Sequence, residues 1–245
     1  MNNLFKITML IVLCVFYAGS MAQGIIRVSN LHIAPAGFIE NNTPQGIFYD
    51  IAKKIILDAG YTPEIQLLPY PRVLDNLASG RADMSILISN KAIEKTCDSI
   101  MPLAQVHSII VGLKGHDFSE LSSLQGKTVG VLRLAKYDRN FEKNTKIKKY
   151  EFNSYEQGLK MLLSKRFDAM AGTQISVYYT LAKQGYSHTL LGKPLIINSN
   201  SISIQYSKKS LNPQAKDLIA QAARRLLDKG ELDKIIASYL SSPRI

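Results

Sequence analysis

The chain contains LASGRAD at residues 77–83 and LLSKRFD at residues 162–168, two copies of the pattern L-x-S-x-R-x-D. A leucine stands three residues upstream of each copy, so each copy is predicted to end an amphipathic helix. Small and apolar residues follow each copy, as is typical of a buried strand, over residues 84–88 and 169–172. The sequence therefore predicts one helix–turn–strand unit that is used twice.

A unit used twice suggests two similar α/β lobes with a cleft between them, and such clefts are where small ligands usually bind. The alternative is that a common helix-exit pattern has matched by chance. Strands and helices alternate along the whole chain, which favours α/β sheets covered on both faces. Strands are predicted at 25–29, 63–68, 82–89, 108–113, 128–132, 148–152, 167–171 and 201–206. Helices are predicted at 48–59, 71–79, 121–124, 136–143, 155–164, 175–184, 213–229 and 232–240, with a loop over 35–46.

The first residues predict export. Residues 1–6 carry one positive charge, residues 7–18 are almost wholly apolar, and Ser20 and Ala22 are small residues at the cleavage-determining positions. This is the pattern of a secretory signal peptide at 1–22, and its apolar run is short for a membrane span. We expect cleavage after about Ala22 and a periplasmic location; an uncleaved membrane anchor is the alternative.

Cysteine usage agrees with a fold held by its core. Cys14 lies in the apolar run without the small-residue approach of a lipoprotein signal, so it is not predicted as a lipid site. Cleavage would leave only Cys97, and a lone cysteine cannot form an internal disulfide. The mature chain is long enough to bury its own core, as one large domain or as two lobes.

The formal net charge is +11, with a local concentration of cations between residues 133 and 149. We interpret this segment as a solvated lobe surface; the alternative is a field that attracts anionic ligands or an anionic surface. An exported chain rarely meets nucleic acid, and the sequence has no RNP-type aromatic motif or basic recognition helix. We therefore expect no nucleic-acid partner.

Six short motifs then carry a resemblance over nearly all of the mature chain. They are PAGF at 35–38, GIFYD at 46–50, the first repeat at 77–83, KTVGV at 127–131, FDA at 167–169 and LDKGELDKI at 227–235. In this order and spacing they resemble the periplasmic solute-binding proteins of family 3, the amino-acid-binding group with the type II periplasmic fold.

The resemblance implies an α/β fold of two similar lobes joined by a two-segment hinge. Lobe 1 would comprise 23–111 plus 204–245 and lobe 2 would comprise 112–203, with the hinge near 108–113 and 201–206. It also implies a function: capture of a small polar solute, carboxylate-bearing or amino-acid-like, for an ABC-type permease of the inner membrane. A ligand that bridges both lobes would stabilise the closed form.

In lobe 1, relatives clamp the ligand carboxylate with an arginine, and the matching position here is Lys95. Lysine keeps the charge but lacks the planar fork that binds a carboxylate through two hydrogen bonds. Asn90 stands where relatives often have a hydroxyl donor, and Ile88 is placed in the same site. The alternative is that Lys95 points to water.

In lobe 2, relatives hold the ligand ammonium with an aspartate, and the matching position here is Thr173. Threonine supplies no negative charge; its alternative role is to cap the helix at 175–184. Arg133 and Lys136 stand where relatives have a glycine-rich approach, and either could add positive charge. An anionic or neutral polar solute is therefore favoured over an ordinary α-amino acid.

Three further residues are predicted at the cleft. Phe38 and Tyr70 could pack on a ligand, although aromatic residues beside strands more often belong to the core. Arg72 lies at a strand-to-helix junction that faces the cleft in the family, where it could bind ligand or tie lobe 1 together.

Two other functions stay open. The same fold serves as a ligand-sensing receptor for a signalling partner, and some relatives are enzymes such as dehydratases of small carboxylic acids. The four histidines are scattered without metal-ligand spacing, and Cys97 has no evident base beside it. His32 is the one candidate acid or base near the cleft. We expect a binding protein without cofactor or metal.

Overall fold

The computed structural model describes residues 24–91, 93–133 and 135–240. The predicted signal peptide and Cys14 lie outside these residues. Within the described part, no helix has the length and apolarity needed to cross a membrane.

The strands of the described residues are β1 (Ile25–Leu31), β2 (Phe38–Glu40), β3 (Thr43–Gln45), β4 (Thr62–Leu68), β5 (Met84–Ile88), β6 (Cys97–Gly112), β7 (Thr128–Leu132), β8 (Lys148–Phe152), β9 (Ala169–Thr173) and β10 (Leu195–Ser207). The helices are α1 (Ile47–Asp58), α2 (Tyr70–Ser79), α3 (Arg139–Lys143), α4 (Tyr155–Leu163), α5 (Gln174–Lys183), α6 (Ala215–Asp228) and α7 (Glu231–Leu240). Short 3-10 turns lie at Ile93–Lys95, Leu121–Leu124 and His188–Leu190.

Eight of these strands form one sheet in the order β4-β1-β5-β10-β6-β9-β7-β8. On one side β1 pairs in parallel with β4 and β5, and on the other β7 pairs in parallel with β8 and β9. The long strands β10 and β6 pair antiparallel between these two sets. The fold is therefore two similar α/β lobes joined by two long segments, as predicted. The residue boundaries of the lobes stay a prediction.

The core is divided in the same way. Helices α1 and α6 pack apolar residues such as Ile51, Ile55 and Ile219 against the β1–β5 side of the sheet. A smaller cluster under α2 contains Val73 and Leu77. Two more clusters cover the β7–β9 side.

The repeated motif forms the same backbone link in both lobes. The N–H of Asp83 donates to the carbonyl of Arg27 (2.8 Å), and the N–H of Arg27 donates to the Asp83 carboxylate (2.9 Å). Asp168 and Thr128 exchange the matching pair of bonds, at 2.9 and 2.8 Å. Each aspartate thus ties the start of one strand to its parallel neighbour, so the repeat is one structural unit used twice.

The aspartate of the repeat is fully buried only in the first copy. The Asp83 side chain is fully buried and forms an ion pair with Arg27 at 2.8 Å, and it also accepts a hydrogen bond from the Ser210 hydroxyl at 2.7 Å. Burial raises the pKa of Asp83, but the hydrogen bonds from Arg27 and Ser210 outweigh it, so the pKa lies below its ordinary value. Asp168 is half-exposed, with the Lys127 ammonium 3.6 Å away.

The predicted loop at 35–46 contains the hairpin β2–β3, which pairs Phe38 with Gln45. Its strands have three residues each, too short to show an alternating pattern. Asn41 and Asn42 form the turn with positive φ angles of 49° and 60°. Asparagine tolerates this conformation in two-residue hairpin turns, so the Asn-Asn pair could have predicted the hairpin from the sequence.

Candidate functional site: the cleft between the lobes

The sheet register points the carboxyl ends of two strands at one another. β5 runs antiparallel to β10 and ends where Ile88 pairs with Ile202. β9 ends where Thr173 pairs with Ser108 of β6, and Ser108 in turn pairs with Asn198 of β10. The two carboxyl ends therefore approach each other over residues 198–202 of β10, about 13 Å of extended chain. Ligands of α/β sheets bind beyond the carboxyl ends of strands.

The floor between these strand ends is polar. Residues 198–201 read Asn-Ser-Asn-Ser, and His107 of β6 is hydrogen-bonded to the Ser199 hydroxyl at 2.8 Å. The Asn198 side chain donates to the carbonyl of Tyr137 at 2.9 Å. These residues were not predicted, although the polar run inside one strand of the central pair could have identified them from the sequence.

Lobe 1 brings two predicted cations to this edge. Tyr70 and Arg72 begin α2 directly after β4, and Lys95 lies in the turn after β5. Arg72 and Lys95 are exposed, and neither has an acidic group of the described residues within 4.0 Å. Asn90 accepts the N–H of Ile93 at 3.1 Å, so its side chain orders the turn that carries Lys95.

The predicted cations of lobe 2 already have acidic partners. Arg133 lies 3.4 Å from Glu151, and Lys136 lies 3.5 Å from Glu142. Both side chains are largely exposed, at 61 % and 80 %. Of the four predicted site cations, Arg72 and Lys95 of lobe 1 are therefore the two without an acidic partner among the described residues.

Thr173 caps α5, as the alternative reading held. Its hydroxyl oxygen accepts the N–H of Ser176 at 3.3 Å, and the hydroxyl donates to the Ser176 hydroxyl oxygen at 2.8 Å. Its own N–H donates to the phenol oxygen of Tyr155 at 3.4 Å. Thr173 thus contributes neutral groups to the cleft.

Two buried tyrosines support this end of lobe 2. The Tyr137 oxygen accepts the N–H of Leu132 at 3.3 Å, and the Tyr155 oxygen accepts the N–H of Thr173 at 3.4 Å. Burial raises the pKa of both phenols well above the ordinary value, so both stay neutral. These two tyrosines were not predicted from the sequence as part of the site.

The model of bacterial extracellular solute-binding proteins, family 3, matches residues 25–242. The chain belongs to this family. The predicted resemblance is thereby confirmed over nearly all of the described chain. No curated protein matches the sequence.

Solved structures share the fold of this solute-binding protein. The P235GK mutant of ArgBP from T. maritima is 22% identical, with a TM-score of 0.70, covering 90% of this chain and 96% of that one. An ancestral arginine-binding protein bound to arginine is 23% identical, with a TM-score of 0.71 and coverage of 89% and 99%. A histidine kinase sensor domain with similarity to periplasmic binding proteins is 19% identical, with a TM-score of 0.70 and coverage of 88% and 96%.

Phe38 of this solute-binding protein packs against two tyrosines of distant helices. Its ring centroid lies 5.9 Å from that of Tyr179 in α5 and 6.2 Å from that of Tyr239 in α7. The Lys183 ammonium lies 5.8 Å from the same ring centroid. Phe38 therefore contacts helices of both lobes, whereas Tyr70 is 44% exposed at the start of α2.

The described residues contain no group of three or more His, Cys, Asp or Glu side chains that could hold a metal ion. Cys97 is buried, and burial raises the pKa of its thiol, which disfavours the nucleophilic thiolate. His32 is exposed, and its backbone N–H donates to the carbonyl of Leu68 at 2.9 Å.

Proposed function

We propose that this solute-binding protein captures a small carboxylate-bearing solute between its lobes. The observation that carries the proposal is the opposition of the β5 and β9 carboxyl ends, with Arg72 and Lys95 on one side. Neutral hydroxyl, amide and phenol groups lie on the other side and along the floor. A ligand that contacts both sides stabilises the closed form, because a ligand with equal affinity for both forms would shift nothing.

Amino acids and small organic anions are the solute classes to test. An ancestral arginine-binding protein of the same fold has been solved bound to arginine and bound to glutamine, which supports an amino-acid-like solute. Because Thr173 is neutral, it supplies no negative charge for a ligand ammonium. The solute therefore does not need to carry an amine. The ligand contacts at Phe38, Tyr70, Arg72, Ile88, Asn90, Lys95, Arg133, Lys136 and Thr173 remain part of the proposal.

Thermal shift against matched solutes tests this function. L-Glutamate and glutarate differ only in the amine, and a neutral sugar lacks the carboxylate. We expect carboxylates to raise the melting temperature of the mature protein, because binding to the folded state alone stabilises it. Lys95→Ala should remove the shift by weakening binding about tenfold or more, the effect of losing roughly 1.5–3 kcal/mol of charged hydrogen bonding.

Lys229→Ala is the matched control, since Lys229 is an exposed lysine at the end of α6. It should leave the ligand-induced shift unchanged. Stabilisation by neutral sugars alone, or by carboxylates with Lys95→Ala unaffected, would contradict the site.

The partner and compartment belong to the same proposal. We infer delivery of the solute to an ABC-type permease in the inner membrane from a periplasmic protein, with the signal removed after about Ala22. The likeness to a histidine kinase sensor domain supports a second candidate, ligand sensing for a signalling partner. Transport and sensing can be separated by measuring uptake of the stabilising solute in cells that lack this protein. Loss of uptake supports transport, and normal uptake supports sensing.

We infer a binding role without catalysis, since the fold neighbours are named as binding or sensor proteins. Dehydratase-like turnover of a bound carboxylate is the alternative, with His32 as its only predicted acid or base.

A further inference from the structure

A second contact joins the lobes through the hairpin β2–β3. Glu40 at the end of β2 forms an ion pair with Lys183 at the end of α5. The Lys183 ammonium also lies 5.8 Å from the centroid of the Phe38 ring, within range of a cation–π interaction. The hairpin leads into α1 of lobe 1, and α5 follows β9 of lobe 2, so these contacts join different lobes.

The lobe 1 side of this contact is held in place by contacts within lobe 1. Gln45 donates to Glu40 at 2.8 Å across the hairpin. Tyr239 packs edge-on against Phe38, accepts the N–H of Gly46 at 2.9 Å, and donates to Asp50. The carboxylate and ring that receive Lys183 are therefore fixed in lobe 1 before the lobes meet.

The aromatic part of the contact is buried. Tyr179 belongs to α5 but is only 7% exposed and packs within the main core cluster of lobe 1. Its ring centroid lies 5.9 Å from that of Phe38 at an angle of 49°. An exposed ion pair alone contributes little, but here the ion pair is combined with a ring contact and buried apolar area.

We propose that Phe38, Glu40, Tyr179 and Lys183 form an interlobe clasp that holds the lobes together without ligand. These residues then set the closed fraction of the protein, and through it the affinity for solute; Glu40, Tyr179 and Lys183 lie outside the proposed ligand contacts. The inference rests on the proposed closure of the two lobes. Apparent affinity scales with the fraction of protein in the binding-competent form.

Small-angle X-ray scattering of the ligand-free mature protein tests the clasp. Glu40→Gln and Lys183→Met each remove the ion pair, and Lys183→Met also removes the cation–π contact. We expect Lys183→Met to shift the closed-to-open ratio about 5–30-fold toward the open form. Glu40→Gln removes only the partly exposed ion pair, so its shift should be about 5-fold or less. Both variants should raise the radius of gyration. The exchange Glu40→Lys with Lys183→Glu should restore a compact protein.

Lys160→Met, at an exposed lysine on α4 of the same lobe, is the control and should match the wild type. Far-UV circular dichroism checks that each variant is folded. A wild-type radius equal to that of Lys183→Met, or an exchange variant as open as the single variants, would overturn the clasp. Because no solute is present, a failed ligand screen and a failed clasp are separate results.

Discussion

At the scale of single residues, Asp83 and Asp168 occupy the same place in the repeat but differ in burial. The folded-state pKa of Asp83 is lowered, so its ionisation stabilises the fold above the unfolded pKa of about 3.9. That stabilisation is lost as the pH falls through the lower, folded-state pKa. Removing the Asp83 carboxylate should therefore change how the free energy of unfolding depends on pH.

Asp83→Asn should lower the free energy of unfolding at pH 7 by about 2–4 kcal/mol, because it leaves the Arg27 charge without its carboxylate. The difference from the wild type should shrink as the pH falls below about 4. Asp168→Asn is the matched control and should cost about 0.5–1 kcal/mol, since its carboxylate is half-exposed. Urea titrations at several pH values measure both. Two results would contradict this account. One is an equal loss of unfolding free energy in Asp83→Asn and Asp168→Asn. The other is a difference between Asp83→Asn and the wild type that does not vary with pH.

At the scale of elements, the helix in each repeat ends at a residue with positive φ, but the space for a side chain at that residue differs between the two repeats. Gly80 ends α2 with φ 78°, and Lys165 holds the matching position after α4 with φ 56°. A Cβ on Gly80 would lie 2.3 Å from the backbone oxygen of Lys209, whereas Lys165 is exposed. Glycine is therefore required in lobe 1 only.

Gly80→Ala should cost more than about 2 kcal/mol, because the strained φ costs about 1–2 kcal/mol before the overlap is relieved. Gly126→Ala is the matched control: Gly126 has φ 76° and nothing within 4 Å of its added Cβ. It should cost only the strain of the backbone. Urea midpoints at an unchanged m-value measure the two losses. Similar losses would show that the contact with Lys209 does not matter.

Elements with a strong local pattern could be predicted, and those that depend on the other lobe could not. β7 and β8 were predicted at their observed bounds because apolar residues and turn residues delimit them. β6 was predicted only near its carboxyl end because its first part alternates irregularly in burial where it pairs with β10. In the site, Arg72 follows β4 and Lys95 follows β5, as the predicted order of elements implied, and their contact with a ligand stays a prediction. The Glu151 partner of Arg133 and the Tyr179 contact of Phe38 come from distant segments and left no local signal.

At the scale of the whole molecule, the proposed closure would act through β6 and β10, which link the lobes within the described chain. Their pairing shifts register between Ile196 and Asn198 and again between Ile202 and Ser203. These irregularities flank the polar floor at 198–201, and such bulges are points where strands bend. Bending there would move the β5 and β9 ends together over a solute.

The clasp and the solute should therefore act on the same equilibrium. A solute that raises the melting temperature should reduce the radius of gyration of Lys183→Met more than that of the wild type, since more of the variant starts open. Both proteins should reach the same radius at saturation, measured by small-angle scattering. A solute that leaves the melting temperature unchanged is the control and should leave both radii unchanged. A stabilising solute that leaves Lys183→Met expanded would mean that binding uses one lobe alone.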